Sequence, residues 1–111
     1  QPNLQSYKPT YIPDGAELQN TVEVPEFYGY EYVIDDIDYF SIWLSQSDIR
    51  IYIDAENADI EPFDKDGVTG YFFKKEGLNY VCFERDGCSF SVYGTLDMDE
   101  LIKISAGITK E

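Results

Sequence analysis

The residues whose types and spacing suggest chemistry are carboxylates. Asp64-Lys65-Asp66-Gly67 has the acid-x-acid-Gly order found in the middle of an EF-hand calcium loop. Such a loop needs oxygen ligands at positions 1, 3 and 5, glycine at 6 and a bidentate glutamate at 12. With Gly67 at position 6, Asp64 and Asp66 take positions 3 and 5, but Pro62 falls at 1 and Phe73 at 12. Neither has a side chain that ligates a cation, and the flanks read as strands rather than helices. Asp64 and Asp66 are thus weak metal candidates in an acidic connection, Ala55–Gly67, that ends in an Asp-Gly turn. Asp35, Asp36 and Asp38 form a second acidic group, which reads as a turn between strands.

Other chemistry is harder to build. The chain has no histidine, so it lacks the usual general base and the commonest metal ligand. A Ser-His-Asp or Cys-His nucleophile cannot be assembled within it. The two cysteines, Cys82 and Cys88, flank Asp86-Gly87. A two-residue turn pairs Arg85 with Cys88 and Cys82 with Ser91; a three-residue turn puts Cys82 opposite Phe90. Neither register makes the cysteines direct partners, and disulfide geometry is strict. Two free thiols are expected, with Cys88 on the face of Phe90 and Val92. No cofactor motif is present, and the chain reads as a non-enzyme.

The elements that must position these residues are mainly strands. The chain has 111 residues, 43% hydrophobic and 16% aromatic, which suits one compact domain rich in β-structure. Gln1–Lys8 read as a flexible linker, and 9–111 as the domain. Pro13-Asp14-Gly15 marks a turn, followed by a strand over Ala16–Val24. Tyr28, Tyr30 and Tyr32 alternate with Gly29, Glu31 and Val33 at the strand period. Tyr39–Leu44 is a further strand, and Trp43 within it reads as core. Ile49, Ile51 and Ile53 alternate with Arg50 and Tyr52 as a half-buried strand. Glu76-Gly77 and Asp86-Gly87 separate three alternating runs between Val68 and Gly94, the signal of an antiparallel meander.

The period changes at the end of the chain. Asp97 stands as an N-cap with Glu100 three residues on, and Leu96 can pack on Leu101. Met98, Leu101, Ile102, Ser105 and Ile108 share one helical stripe. An amphipathic helix of roughly three turns follows, with a sheet to cover.

Charge narrows the partners. Eight basic and 22 acidic residues give a net charge of −14. Nucleic acid and anionic membrane surfaces are repelled by such a chain. No apolar run reaches the length of a membrane-spanning helix, and no signal peptide is visible. The opening Gln1-Pro2-Asn3-Leu4 reads as a cut from a longer protein.

Several of these stretches resemble one family. Tyr7-Lys8-Pro9-Thr10-Tyr11-Ile12-Pro13-Asp14-Gly15, then Asp48–Asn57, Gly67–Lys75 and Asp86–Ile108, follow the order of domain-of-unknown-function family 4367. The resemblance runs from Tyr7 to Ile108, and the strand–Gly94–Asp97-x-x-Glu100-Leu101-Ile102 close is its most specific part. It implies an extracytoplasmic domain of a Gram-positive, membrane-tethered protein, whose missing N-terminal part would hold the transmembrane helix. Some members look like the outer half of anti-sigma-type regulators or like lipoprotein carriers. The family supplies no catalytic residues.

The expected fold is α+β: an antiparallel sheet of five to seven strands with the C-terminal helix on one face. The other face should be tyrosine-rich and partly exposed, with Tyr28, Tyr30, Tyr32, Tyr52, Tyr80 and Tyr93 as its binding surface. The leading function is a non-catalytic sensor or interaction domain for a protein or cell-envelope component. The alternatives are a carrier of a hydrophobic ligand, which needs a curved sheet around a cavity, and a calcium-dependent surface module.

Overall fold

The computed structural model of the chain describes residues 7–25, 27–46 and 60–110. In order these form β1 (Tyr7–Pro9), β2 (Glu17–Val24), β3 (Phe27–Val33), β4 (Tyr39–Gln46), β5 (Glu61–Lys65), β6 (Val68–Lys75), β7 (Leu78–Arg85), β8 (Cys88–Gly94), α1 (Met98–Ala106) and β9 (Ile108–Lys110). Seven strands build one antiparallel sheet in the order β2-β3-β4-β8-β7-β6-β5, and β1 pairs with β9 in a separate ribbon. The architecture is the α+β arrangement read from the sequence. The strand expected around Ile49–Ile53 lies outside the described residues.

Local chemistry explains the β5–β8 half. Its three hairpins turn at Asp66-Gly67, Glu76-Gly77 and Asp86-Gly87. The acidic residue sits at φ 53–56° and the glycine at 78–83° in each. Two successive positive φ values are what a type I′ hairpin turn requires. The sheet register confirms the two-residue turn at Asp86-Gly87: Arg85 opposes Cys88, Phe83 opposes Phe90, and Cys82 opposes Ser91.

One expectation changes here. Glu61–Lys65, read as part of an acidic loop, is strand β5, with Phe63 opposite Gly70 and Asp64 opposite Thr69. Charge and Pro62 masked it, yet both suit an edge strand, where an unpaired N–H is no loss and charge deters further pairing. Asp66-Gly67 carried the same hairpin signal as the two later turns.

The core lies on one side of the sheet. Phe40, Ile42 and Leu44 of β4 oppose Gly94, Val92 and Phe90 of β8, which in turn oppose Asn79, Val81 and Phe83 of β7. Helix α1 packs over β6, β7 and β8, burying Leu101, Ile102 and Ile104. The Asp97 carboxylate caps it, accepting from the Glu100 N–H at 2.9 Å. The Glu100 carboxylate takes the Tyr11 hydroxyl, and this ties the entry segment to the helix. The helix stops two residues short of the end of its apolar stripe. Gly107 donates back to the Lys103 and Ile104 carbonyls, and its own carbonyl accepts from the Thr10 N–H at 2.8 Å. The chain is thereby drawn into β9, where Ile108 is buried as a strand residue.

The boundary placed after Lys8 also moves. Tyr7 is 1% exposed, and its ring meets the edge of Phe90 at 5.3 Å. Its carbonyl accepts from the Tyr30 hydroxyl at 2.9 Å. Tyr7 and Lys8 belong to the fold because β1 pairs with β9, a partner at the other end of the chain that local pattern cannot reveal.

Candidate functional site

Strand alternation assigns every sheet residue to one of two faces. Tyr28, Tyr30 and Tyr32 oppose Leu44, Ile42 and Phe40, so they share the face covered by α1 and the β1–β9 ribbon. Gly29 and Glu31 of β3 share the opposite face with Ser41 and Trp43 of β4, Ser91 and Tyr93 of β8, Tyr80 and Cys82 of β7, and Tyr71 and Phe73 of β6.

The expected tyrosine surface therefore splits. Tyr30 and Tyr32 are 3% and 6% exposed. Tyr32 stacks on Phe40 at 4.8 Å, and Tyr28 is half-buried, edge-on to Tyr30 at 5.1 Å. Tyr30 and Tyr32 are core and Tyr28 packs at its margin, so these three lie on the covered face. Alternation showed that they share a face but could not say which face the helix would cover. Tyr80 and Tyr93 do lie on the helix-free face, stacked at 5.0 Å. Phe73 extends the ladder, 4.7 Å from Tyr80. Tyr52 lies outside the described residues.

The helix-free face is a trough with a floor of small residues. Ser41, Ser45, Ser89 and Ser91 line its middle and are buried. Trp43 lies flat across Gly29, where only the missing side chain leaves room: a Cβ there would meet the indole at 2.9 Å. Tyr71, 55% exposed, stands on the other side.

Two recesses open on this face. The first, about 490 Å³, lies over β5–β8 between Pro62, Tyr71, Cys82 and Ser89. The Ser89 side-chain oxygen is buried and has no hydrogen-bond partner among the described residues. The second, about 500 Å³, is lined by Glu31, Asp35, Asp36 and Asp38 together with Tyr39 and Tyr93. Asp35 Oδ1 accepts from the N–H groups of Ile37 and Asp38 at 2.7 and 2.8 Å. Those two bonds hold its carboxyl below the usual carboxylate range. Asp38 accepts from the Thr95 hydroxyl at 3.1 Å. The acidic turn is thus fixed in shape.

Two titrating groups on this face, Cys82 and Tyr80, are held in their neutral forms. Burial pushes the Cys82 thiol up, against a small opposing effect of Ser91 at 3.9 Å. Burial and the neighbouring Tyr93 push Tyr80 up as well. A protonated thiol is a poor nucleophile. Both cysteines are free, as the register predicts. Asp64 sits on β5, where it accepts from the Thr69 hydroxyl at 3.2 Å, while Asp66 opens the turn. Among the described residues no three His, Cys, Asp or Glu side chains are grouped to hold a metal.

Sequence reasoning missed Trp43, Tyr71, Tyr39 and the serines. A signal was present: Ser89 and Ser91 place small polar residues on alternate positions of a strand, which leaves a sheet face low between larger neighbours.

Comparison with known proteins fits this geometry. A family model, Domain of unknown function (DUF4367), matches residues 6–108. The chain belongs to that family. No curated protein matches it. A solved structure, "Crystal structure of MucB in complex with MucA(peri)", has the same fold with a TM-score of 0.61 at 12% identity. The match covers 96% of this chain and 36% of that one, so this DUF4367 domain spans about a third of that protein.

Proposed function

We propose that this DUF4367 domain is a non-catalytic interaction module, and that its helix-free face receives a segment of another protein. One observation carries the reading: among the described residues, α1 and the β1–β9 ribbon cover one face of the sheet, and the other keeps two recesses. The trough is walled by aromatic residues, which are favoured where proteins meet. The MucB fold, solved in a complex with a protein partner, supports the same reading. We place the domain outside the cytoplasmic membrane, as the sensing part of a longer tethered chain of the anti-sigma type; this follows the family resemblance.

The test is site-specific photocrosslinking in the full-length protein in its own cells. A benzophenone side chain at Tyr71 should give a discrete protein adduct, and one at Thr109, on the ribbon side, should not. Equal labelling from both positions, or none from Tyr71, counts against the trough. Fusion of a reporter that works only outside the membrane to the end of the chain tests the location.

A second reading has its own observation. The 490 Å³ recess has the size of a small-ligand pocket, as a carrier of a hydrophobic molecule would need. The helix–sheet interface is tightly packed, so such a ligand would sit in the trough and not beneath α1. Native mass spectrometry of the purified domain distinguishes the two: co-purifying lipid favours the carrier. The calcium reading rests on Asp64 and Asp66, one on a strand and one in a turn; an unchanged melting temperature in millimolar calcium dismisses it.

A further inference from the structure

We infer that the trough takes an extended peptide with an apolar side chain and, about five residues along it, a lysine or arginine. This rests on the reading above and names the chemistry of the partner segment.

The first argument is the distribution of charge. Of the seven described cations, six belong to the helix side. Lys65 pairs with Asp99 at 2.7 Å on α1, and Arg85 donates to the Ile108 carbonyl at 2.6 Å. Lys8 lies over the Tyr30 ring and Lys103 over Tyr11. Lys74 opposes Asn79, whose amide donates to the Leu96 carbonyl before α1, and Lys110 is on β9. Only Lys75 shares the trough face, at its end beside Leu78. The carboxylates are not sorted in this way. Glu31, Asp64, Glu84 and the turn carboxylates Asp35, Asp36 and Asp38 all border the trough face. Among the described residues the trough face thus carries one cation against six bordering carboxylates, a balance that attracts a cationic segment and repels an acidic one.

The second argument is the difference between the recesses. The first presents Pro62, Tyr71 and Cys82, with the unpartnered Ser89 oxygen at its floor. That set suits an apolar side chain, with a peptide N–H or carbonyl to meet the hydroxyl. The second joins four carboxylates to the rings of Tyr39 and Tyr93, a pairing that suits a cation. Between them the stacked rings of Tyr80 and Tyr93, both half-buried, form a saddle that a backbone can cross, with Phe73 buried beside Tyr80. The recesses lie two to three strands apart and four to five residues apart along the strands. At about 4.8 Å per strand and 3.4 Å per residue this is roughly 15–20 Å, which five or six residues of extended chain span.

The test uses the 111-residue chain and fluorescent nonapeptides of serine and threonine. Each carries one leucine near its start and lysine, glutamate or serine from three to six residues later. Anisotropy is read at low and at raised salt. The lysine peptides at the longer spacings should bind about tenfold tighter than their glutamate counterparts at low salt, with the difference shrinking as salt rises. Asp36→Lys should abolish the lysine preference, and Tyr71→Ala should weaken every peptide alike. If lysine and glutamate peptides bind equally, the cationic inference fails while the peptide reading stands. If no peptide binds up to roughly 1 mM, the peptide inference is overturned; a co-purifying lipid in that case would also displace the protein-segment reading.

Discussion

Gly29→Ala probes the trough with a reporter the chain already carries, since Trp43 is its single tryptophan. A Cβ at position 29 would lie 2.9 Å from the indole Cε3 and 3.0 Å from Cδ2 and Cζ3. Carbon atoms rest at about 3.5–4.0 Å, so the ring must move by roughly half an ångström or more. Overpacking of this kind costs about 1–3 kcal/mol. Loss of glycine's freedom in the unfolded chain offsets about 0.4–1 kcal/mol. The net expectation is a loss of about 1–2 kcal/mol. With a urea slope of about 1–2 kcal/mol/M for a chain of this size, the midpoint falls by about 1 M. Tryptophan emission should shift to the red, and acrylamide should quench it more readily as the ring tips outward. Gly77→Ala is the control: nothing lies within 4 Å of its Cβ position, and its φ is +82°. That variant should show only the cost of a left-handed backbone, about 1 kcal/mol, with unchanged emission. A Gly29→Ala protein as stable as its parent, with the same emission and quenching, would refute the packing of Trp43 on Gly29 and remove that wall of the trough.

Other expectations follow from the core and its titrating groups. Ile104→Ala, at a fully buried position on α1, should cost about 2–5 kcal/mol in urea unfolding followed by circular dichroism. Tyr7→Phe should be neutral or stabilising near pH 7, because the buried Tyr7 hydroxyl has no hydrogen-bond partner among the described residues. Burial and the nearby Cys88 push Tyr7 from 10.0 up to about 12. A raised acid pKa keeps its contribution below pH 10 and loses it on rising to about pH 12. Alkaline melting curves should therefore fall over that window, less steeply in Tyr7→Phe. Two thiols should titrate in denaturant without reductant; in the native protein half-buried Cys82 should react slowly and buried Cys88 more slowly still, since burial raises both.

Much of the fold was legible because it is set locally. Paired acid-Gly turns fix hairpins through backbone sterics, and they gave β6, β7 and β8 with the right register at Cys82 and Cys88. Asp97 announced the helix start because a capping carboxylate satisfies the helix's own N–H groups. The same rule, applied at Asp66-Gly67, would have found β5. The candidate site was legible only in part. Tyr80 and Tyr93 were named, but they were grouped with Tyr28, Tyr30 and Tyr32 from the other face.

Sequence by itself determined the class, the turns, the capped helix and the free thiols, each of which depends on neighbours within a few positions. Charge and the missing histidine narrowed the chemistry in the same way, since composition survives folding. Tertiary structure alone decided which side of the sheet is covered. That choice depends on the pairing of Tyr7–Pro9 with Ile108–Lys110 and on the placement of α1 over β6–β8. Alternation makes two faces of equal standing, and only a contact between the ends of the chain tells them apart.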